Sequence, residues 1–209
     1  DNNVAIGNTA MGGADVSGAS NIAIGTTSMD ALTSGACNIA MGLNALGAST
    51  DGCDNIAIGR SALAVSDGDG DHNIAIGQSA MGAGDVSGAR NIAIGGSAGE
   101  DITTGACNIA LGERALCAAT DNCGNVAIGQ NALAASVNDG DFNVAIGYTA
   151  LGGADVSGGY NVAIGAAAGD AITTGACNVA LGINALGAAT NNNNNVAIGN
   201  EAMAASVND

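Results

Sequence analysis

Few side chains in this sequence are equipped for chemistry. There are six cysteines, a single histidine, three arginines, no lysine, and 19 carboxylates. Cys37 and Cys53 stand 16 residues apart, and so do Cys107 and Cys123. Thiols recurring at one short interval suggest bridges between successive turns of a coiled chain, so Cys37–Cys53 and Cys107–Cys123 are disulfide candidates. Cys117 competes with Cys107 for Cys123, and Cys177 lacks a counterpart because Asn193 occupies the matching place. Free thiols filling small apolar positions are the alternative reading. Bridges would imply an oxidising compartment. Zinc is disfavoured, since the sequence has one His and no Cys-x-x-Cys.

The carboxylates form a second group. Ser66-Asp67-Gly68-Asp69-Gly70-Asp71 alternates acid and glycine, the spacing with which a turn wraps a hard cation in oxygen ligands. Asp51 and Asp85 fall near that turn in the repeats before and after. Asp139 and Asp141, with Asp121 and Asp155, recreate the arrangement later, and Asn191 to Asn194 replace it in the last third. Calcium is the ion these residues would hold; a hydrated, exposed turn is the plainer reading of the same pattern. No cofactor is implied. His72 occupies a turn whose counterparts are Asn2 and Phe142. Phosphate-cradling glycine loops need a lysine or a helix start, and neither is present. The residues therefore do not suggest an enzyme.

Positioning all of these is a repeat. Asn-[Ile/Val]-Ala-[Ile/Leu/Met]-Gly begins at Asn3, Asn21, Asn38, Asn55, Asn73, Asn91, Asn108, Asn125, Asn143, Asn161, Asn178 and Asn195. The intervals run 18, 17, 17, 18 and sum to 70, which divides the chain into three superrepeats at 3–72, 73–142 and 143–209 within one domain. Strict alternation over five residues predicts a strand. A second apolar pair follows, as in Ala62-Leu63 and Ala132-Leu133, and then a Gly/Ser/Asp/Asn turn. Recurrent glycine, costing about 1 kcal/mol in a helix interior, argues against helices. The expected fold is an all-β parallel solenoid of twelve coils.

Stacking at about 4.8 Å per coil makes a rod of roughly 55 Å and places the asparagines in a column. Asn21, Asn38, Asn55, Asn73, Asn91, Asn108, Asn125, Asn143, Asn161 and Asn178 are read as a structural amide ladder. Glycine after each strand marks a clash or a positive φ. The Ala/Gly side of the strand is expected to be a flat outer strip on which another solenoid packs. Both termini fit the repeat, consistent with an excerpt of a longer array or with copies stacked end to end.

Net charge is −16, which disfavours nucleic acid and anionic membrane surfaces as partners. No apolar run approaches the ~20 residues of a membrane helix. The pentapeptide followed by a short Ala-Leu pair resembles the head repeats of YadA-like trimeric autotransporter adhesins and related repeats of bacteriophage tail fibres. That resemblance spans all twelve coils. It implies a left-handed parallel β-roll, trimerisation about a fibre axis, and attachment to host matrix or surfaces. The expected role is a structural component of an extracellular fibre or adhesive stalk on a cell or virion surface, self-associating end to end or laterally. Alternatives are a receptor-binding head or tail-fibre segment and an ice-binding solenoid, the latter needing a regular threonine array.

Overall fold

The computed structural model describes residues 2–13, 15–66, 70–137 and 140–205. Twelve strands of three residues each run from β1 (Val4–Ile6) and β2 (Ile22–Ile24) to β11 (Val179–Leu181) and β12 (Val196–Ile198). All join one parallel sheet in sequence order. Register follows the repeat, with Val4 opposite Ile22, Ala5 opposite Ala23 and Ile6 opposite Ile24 at one end, and Ala180 opposite Ala197 at the other. The fold is the β-solenoid that the spacing predicts.

The faces of the strand are the reverse of the expected ones. The central alanine points inward: Ala23, Ala40, Ala57, Ala75, Ala110 and Ala127 are wholly buried. The flanking Val, Ile, Leu and Met point outward and are half-buried or exposed, so the Ala side is core and not a mating strip. The cause lies on the opposite wall of the coil. There Leu46, Leu63, Met81, Leu116, Leu133, Leu151 and Leu186 are buried and fill the interior. A coil of 17 or 18 residues encloses room for one bulky layer, and at close-packed density the facing wall can offer only a methyl group.

The glycine after each strand behaves as expected. At Gly42, φ is +137°, and a Cβ there would lie 2.5 Å from the Gly59 carbonyl oxygen of the next coil. Other left-handed positions carry no glycine. Ser61 and Leu63 (φ 53° and 44°), like Asn131 and Leu133 (56° and 49°), are αL residues with full side chains. Each such residue costs of order 1–2 kcal/mol. Packing and inter-coil hydrogen bonds offset this, for example Leu63 N–H to the Ala80 carbonyl at 2.9 Å and Ser61 N–H to the Leu43 carbonyl at 2.9 Å.

Two coils solve the interior differently. Gly99 and Gly169 stand where leucine or methionine stands elsewhere, and Ile102 and Ile172, three residues on, are buried in their place. A Cβ on Gly99 would come within 2.8 Å of Ile102 Cδ1. In the second coil both positions are filled, with Met29 and Leu32 buried together, whereas in these two coils the second position alone supplies the bulk.

The asparagine ladder is present, with a different bonding pattern from an amide-to-amide chain. Each Oδ1 accepts the backbone N–H of the next asparagine: Asn38 on Asn21 at 2.9 Å, Asn73 on Asn55 at 2.8 Å, Asn143 on Asn125 at 2.7 Å. Except at Asn125, Nδ2 of the buried asparagines donates to a carbonyl late in its own coil, as Asn55 does to Gly70 at 2.9 Å and Asn161 to Gly175 at 2.8 Å. One side chain thus closes its own coil and ties it to the next, while buried from water. Direct amide–amide contacts, such as Asn178 Nδ2 to Asn161 Oδ1 at 3.0 Å, are secondary.

Candidate interaction face

Four columns of side chains point out from the strand side. The leading column is the residue before each asparagine; two aliphatic columns follow within the strand, and the trailing column is the residue after the strand glycine. Leading and trailing residues are almost all exposed and chemically varied: Asp54, His72, Arg90 and Phe142 on one margin, Leu43, Arg60, Glu113 and Tyr148 on the other. The two columns between them hold only Val, Ile, Leu or Met in all twelve coils. Ile6, Ile94 and Ile164 are 58%, 40% and 40% exposed. β-propensity alone does not account for this restriction. Met41, Leu111 and Leu181 are not β-branched, and the strand-favouring Thr and Tyr never occur there.

Charge follows the same division. Among leading and trailing residues, Asp54 and Glu113 balance Arg60 and Arg90, and the aliphatic columns carry none. The net charge of −16 therefore resides entirely on the other sides of the coil. Among the described residues, His72 Nε2 and Asp54 Oδ2 on this face lie 3.7 Å apart in successive coils, both half exposed. Phe142 and Tyr160, also successive leading residues, stack with ring centroids 5.3 Å apart and planes 16° apart. All three aromatic side chains, Phe142, Tyr148 and Tyr160, are more than half exposed, and none serves the core.

The thiols do not pair as the spacing suggests. Cys37, Cys53, Cys107, Cys117, Cys123 and Cys177 are all free. Cys53 stacks over Ala36, whose N–H points at its Sγ at 3.4 Å, while Cys37 is one residue further on, in the exposed leading column. The offset that made the pairs candidates sets their side chains in neighbouring columns. Cys123 behaves likewise, its Sγ turned to the Asp121 carbonyl at 3.4 Å. Cys117 is buried above Glu100, its Sγ 3.8 Å from Oε2; burial raises its pKa, an effect Arg114 opposes and Glu100 and Asp101 reinforce.

Comparison with protein families, curated proteins and solved structures returned no match. The reading of this face therefore rests on its own residues.

The acidic turns have structural roles of their own. Asp71 Oδ1 accepts the Cys53 N–H at 2.7 Å, Asp141 Oδ1 the Cys123 N–H at 2.7 Å, and Asp155 Oδ1 the Val137 N–H at 2.8 Å. Each ties its coil to the preceding one. Asp51 lies beside Thr50, whose hydroxyl donates to Oδ1 at 3.3 Å, and Asp85 pairs with Val65 in a parallel β-bridge. Asp67, Asp69 and Asp139 lie outside the described residues. Among the described residues, no three His, Cys, Asp or Glu side chains converge on one point. Also among them, no helix is long and apolar enough to cross a membrane.

One column of threonines bonds to the backbone of the next coil. Thr33, Thr103 and Thr173 hydroxyls donate to the carbonyls of Thr50, Thr120 and Thr190 in the next coil, at 2.9, 3.0 and 3.1 Å.

Sequence reasoning did not anticipate a defect in the inward columns. Asn122 is buried where Gly35, Gly52 and Gly105 stand in other coils, its Nδ2 on Ser136 Oγ at 2.8 Å. Asn122 Oδ1 and Asn125 Nδ2 are both left without a partner. The signal was legible, since Asn122 and Asn192 interrupt a column that otherwise carries glycine.

Proposed function

We propose that this chain is a structural rod segment that associates laterally with its own kind through the aliphatic face of the solenoid, as part of an extracellular fibre or adhesive stalk. The observation that carries the reading is the restriction of two outward, half-buried or exposed columns to Val, Ile, Leu and Met in every coil, while the exposed columns flanking them vary freely. An apolar strip of that length on a soluble protein marks an interaction surface. Spanning about 55 Å by about 20 Å, roughly 1,100 Å², the face exceeds the ~800 Å² per partner of a standard interface. Its neutral margins let copies approach, and the acidic remainder keeps assemblies from sticking elsewhere.

Adhesive or tail-fibre attachment would then use surfaces away from this face, and the chain acts by geometry, not catalysis. An ice-binding role has less support, because the flat face carries aliphatic side chains and the Thr33, Thr103 and Thr173 hydroxyls bond to backbone.

Analytical ultracentrifugation across micromolar concentrations tests the reading. The wild-type chain should sediment as an oligomer, and Ile58→Glu with Ile128→Glu should give a folded monomer. A wild-type monomer throughout that range would sink it.

A further inference from the structure

An aliphatic face that repeats every coil can mate, but it cannot choose its register. Sliding one copy along the other by a coil sets Ile against Ile again, and repetitive strand surfaces specify register weakly. Only the margins differ from coil to coil. We propose that the margins set the register, with the partner being a second, parallel copy of this chain whose trailing column lies against the leading column at the same level. This rests on the lateral association proposed above.

The fold places the leading and trailing residues of a coil at the two ends of one strand, both exposed, at nearly one height along the rod. A rotation axis along the rod therefore brings leading against trailing at equal levels, whatever the number of copies. At that register the chemistry matches. Asp54 meets Arg60, which makes no ion pair among the described residues of its own chain. Phe142 meets Tyr148, joining the three exposed aromatics of the chain into one cluster with Tyr160. The exposed Cys37 meets Leu43, and the exposed Cys177 meets Ile183. No like charges meet at any coil.

Slipping by one coil leaves one match where the level register has two. In one direction Arg90 gains Glu113, but Cys37 faces Arg60, Phe142 faces Ala166 and Asp54 faces Gln78. In the other, Tyr160 gains Tyr148, but His72 faces Arg60 and Asp54 faces Leu43. An antiparallel pairing about a two-fold along the strands lays leading on leading columns, and at full overlap it sets Asp54 against Phe142 and Arg60 against Tyr148. Both slipped registers keep the aliphatic contact, so the margins alone decide between them.

The native Cys37 supplies the probe. In a chain with Cys53, Cys107, Cys117, Cys123 and Cys177 changed to alanine, Thr26→Cys, Leu43→Cys and Arg60→Cys are introduced separately. Each is oxidised with copper–phenanthroline and followed on non-reducing gels. Leu43→Cys should link copies at least ~10-fold faster than the other two. Fastest linkage from Thr26→Cys or Arg60→Cys would overturn the register. An associated chain that links from none would overturn margin pairing and leave lateral association standing; a monomeric chain removes both. Should the alanine background not fold, mass-spectrometric mapping of links to Cys37 in the three single variants of the otherwise native chain distinguishes the same registers. Independently, Asp54→Arg should weaken association about 2–5-fold and adding Arg60→Asp should restore it; failure of the second change to restore association counts against the pairing.

Discussion

The inward and outward columns of this solenoid are built from the same coils and obey different rules. Inward, the strand alanine, the strand glycine and the asparagine are identical in all twelve copies. Where another inward position changes, a second residue compensates, as Ile102 does for Gly99. Outward, the trailing column runs through Asn, Thr, Leu, Arg, Gln, Gly, Glu, Tyr, Ala and Ile, while the aliphatic columns keep to four residue types. Twelve copies of one coil sample one environment twelve times. Uniformity inside reflects a narrow interior; uniformity outside is the observation on which the proposed lateral association rests.

Changing the interior should cost most. Leu133→Ala removes a wholly buried side chain and should lower stability by about 2–5 kcal/mol in chemical denaturation. Next is a matched pair on one strand type. Ala127→Leu, inward, should cost about 1–3 kcal/mol by overpacking. Ile164→Ser, outward, should cost the isolated chain about 1 kcal/mol or less, and should show its main effect on association. If the two substitutions destabilise a monomeric background equally, the assignment of inside and outside fails.

A smaller effect, of opposite sign, comes from repairing the inward defect. Asn122→Gly frees the Gly140 carbonyl for Asn125 Nδ2, as Gly70 serves Asn55. A net gain of about 1 kcal/mol is expected, the relieved orphan outweighing the added chain entropy. Unchanged or reduced stability would mean that the buried amide is satisfied in another way.

The smallest effect depends on pH. Burial raises the pKa of Asp170, which the Gly153 backbone hydrogen bond partly offsets, and its Oδ1 lacks a partner. A carboxyl whose folded pKa is raised destabilises the fold when ionised, and the penalty disappears as pH falls through that pKa. Asp170→Asn should therefore be more stable than wild type at neutral pH, with the difference closing in acid. Thermal melts at several pH values check it; a constant difference would assign the effect to packing.

The coil boundaries, the parallel strands, the glycine turn and the asparagine column were legible because each leaves a periodic mark on the sequence. The thiol pairs were misread for a physical reason. The one-residue offset was legible, since 16 falls one short of the 17-residue coil; its consequence was not, and it moves Cys53 onto Ala36 and away from Cys37. The residues of the proposed margin pairs were equally visible letters, and the fold added that Asp54 and Arg60, at the two ends of one strand, are both exposed.

By itself the sequence determined that the chain coils, how long each coil is, and that every strand has one face of small and one of larger apolar groups, since alternation and period are properties of residue order. Which face is buried was decided only in three dimensions. Alanine and isoleucine are both apolar, so hydrophobicity does not choose between them. The choice was made by the opposite wall, whose left-handed leucines and methionines occupy the interior and leave each strand room for a methyl group inside and its bulk outside.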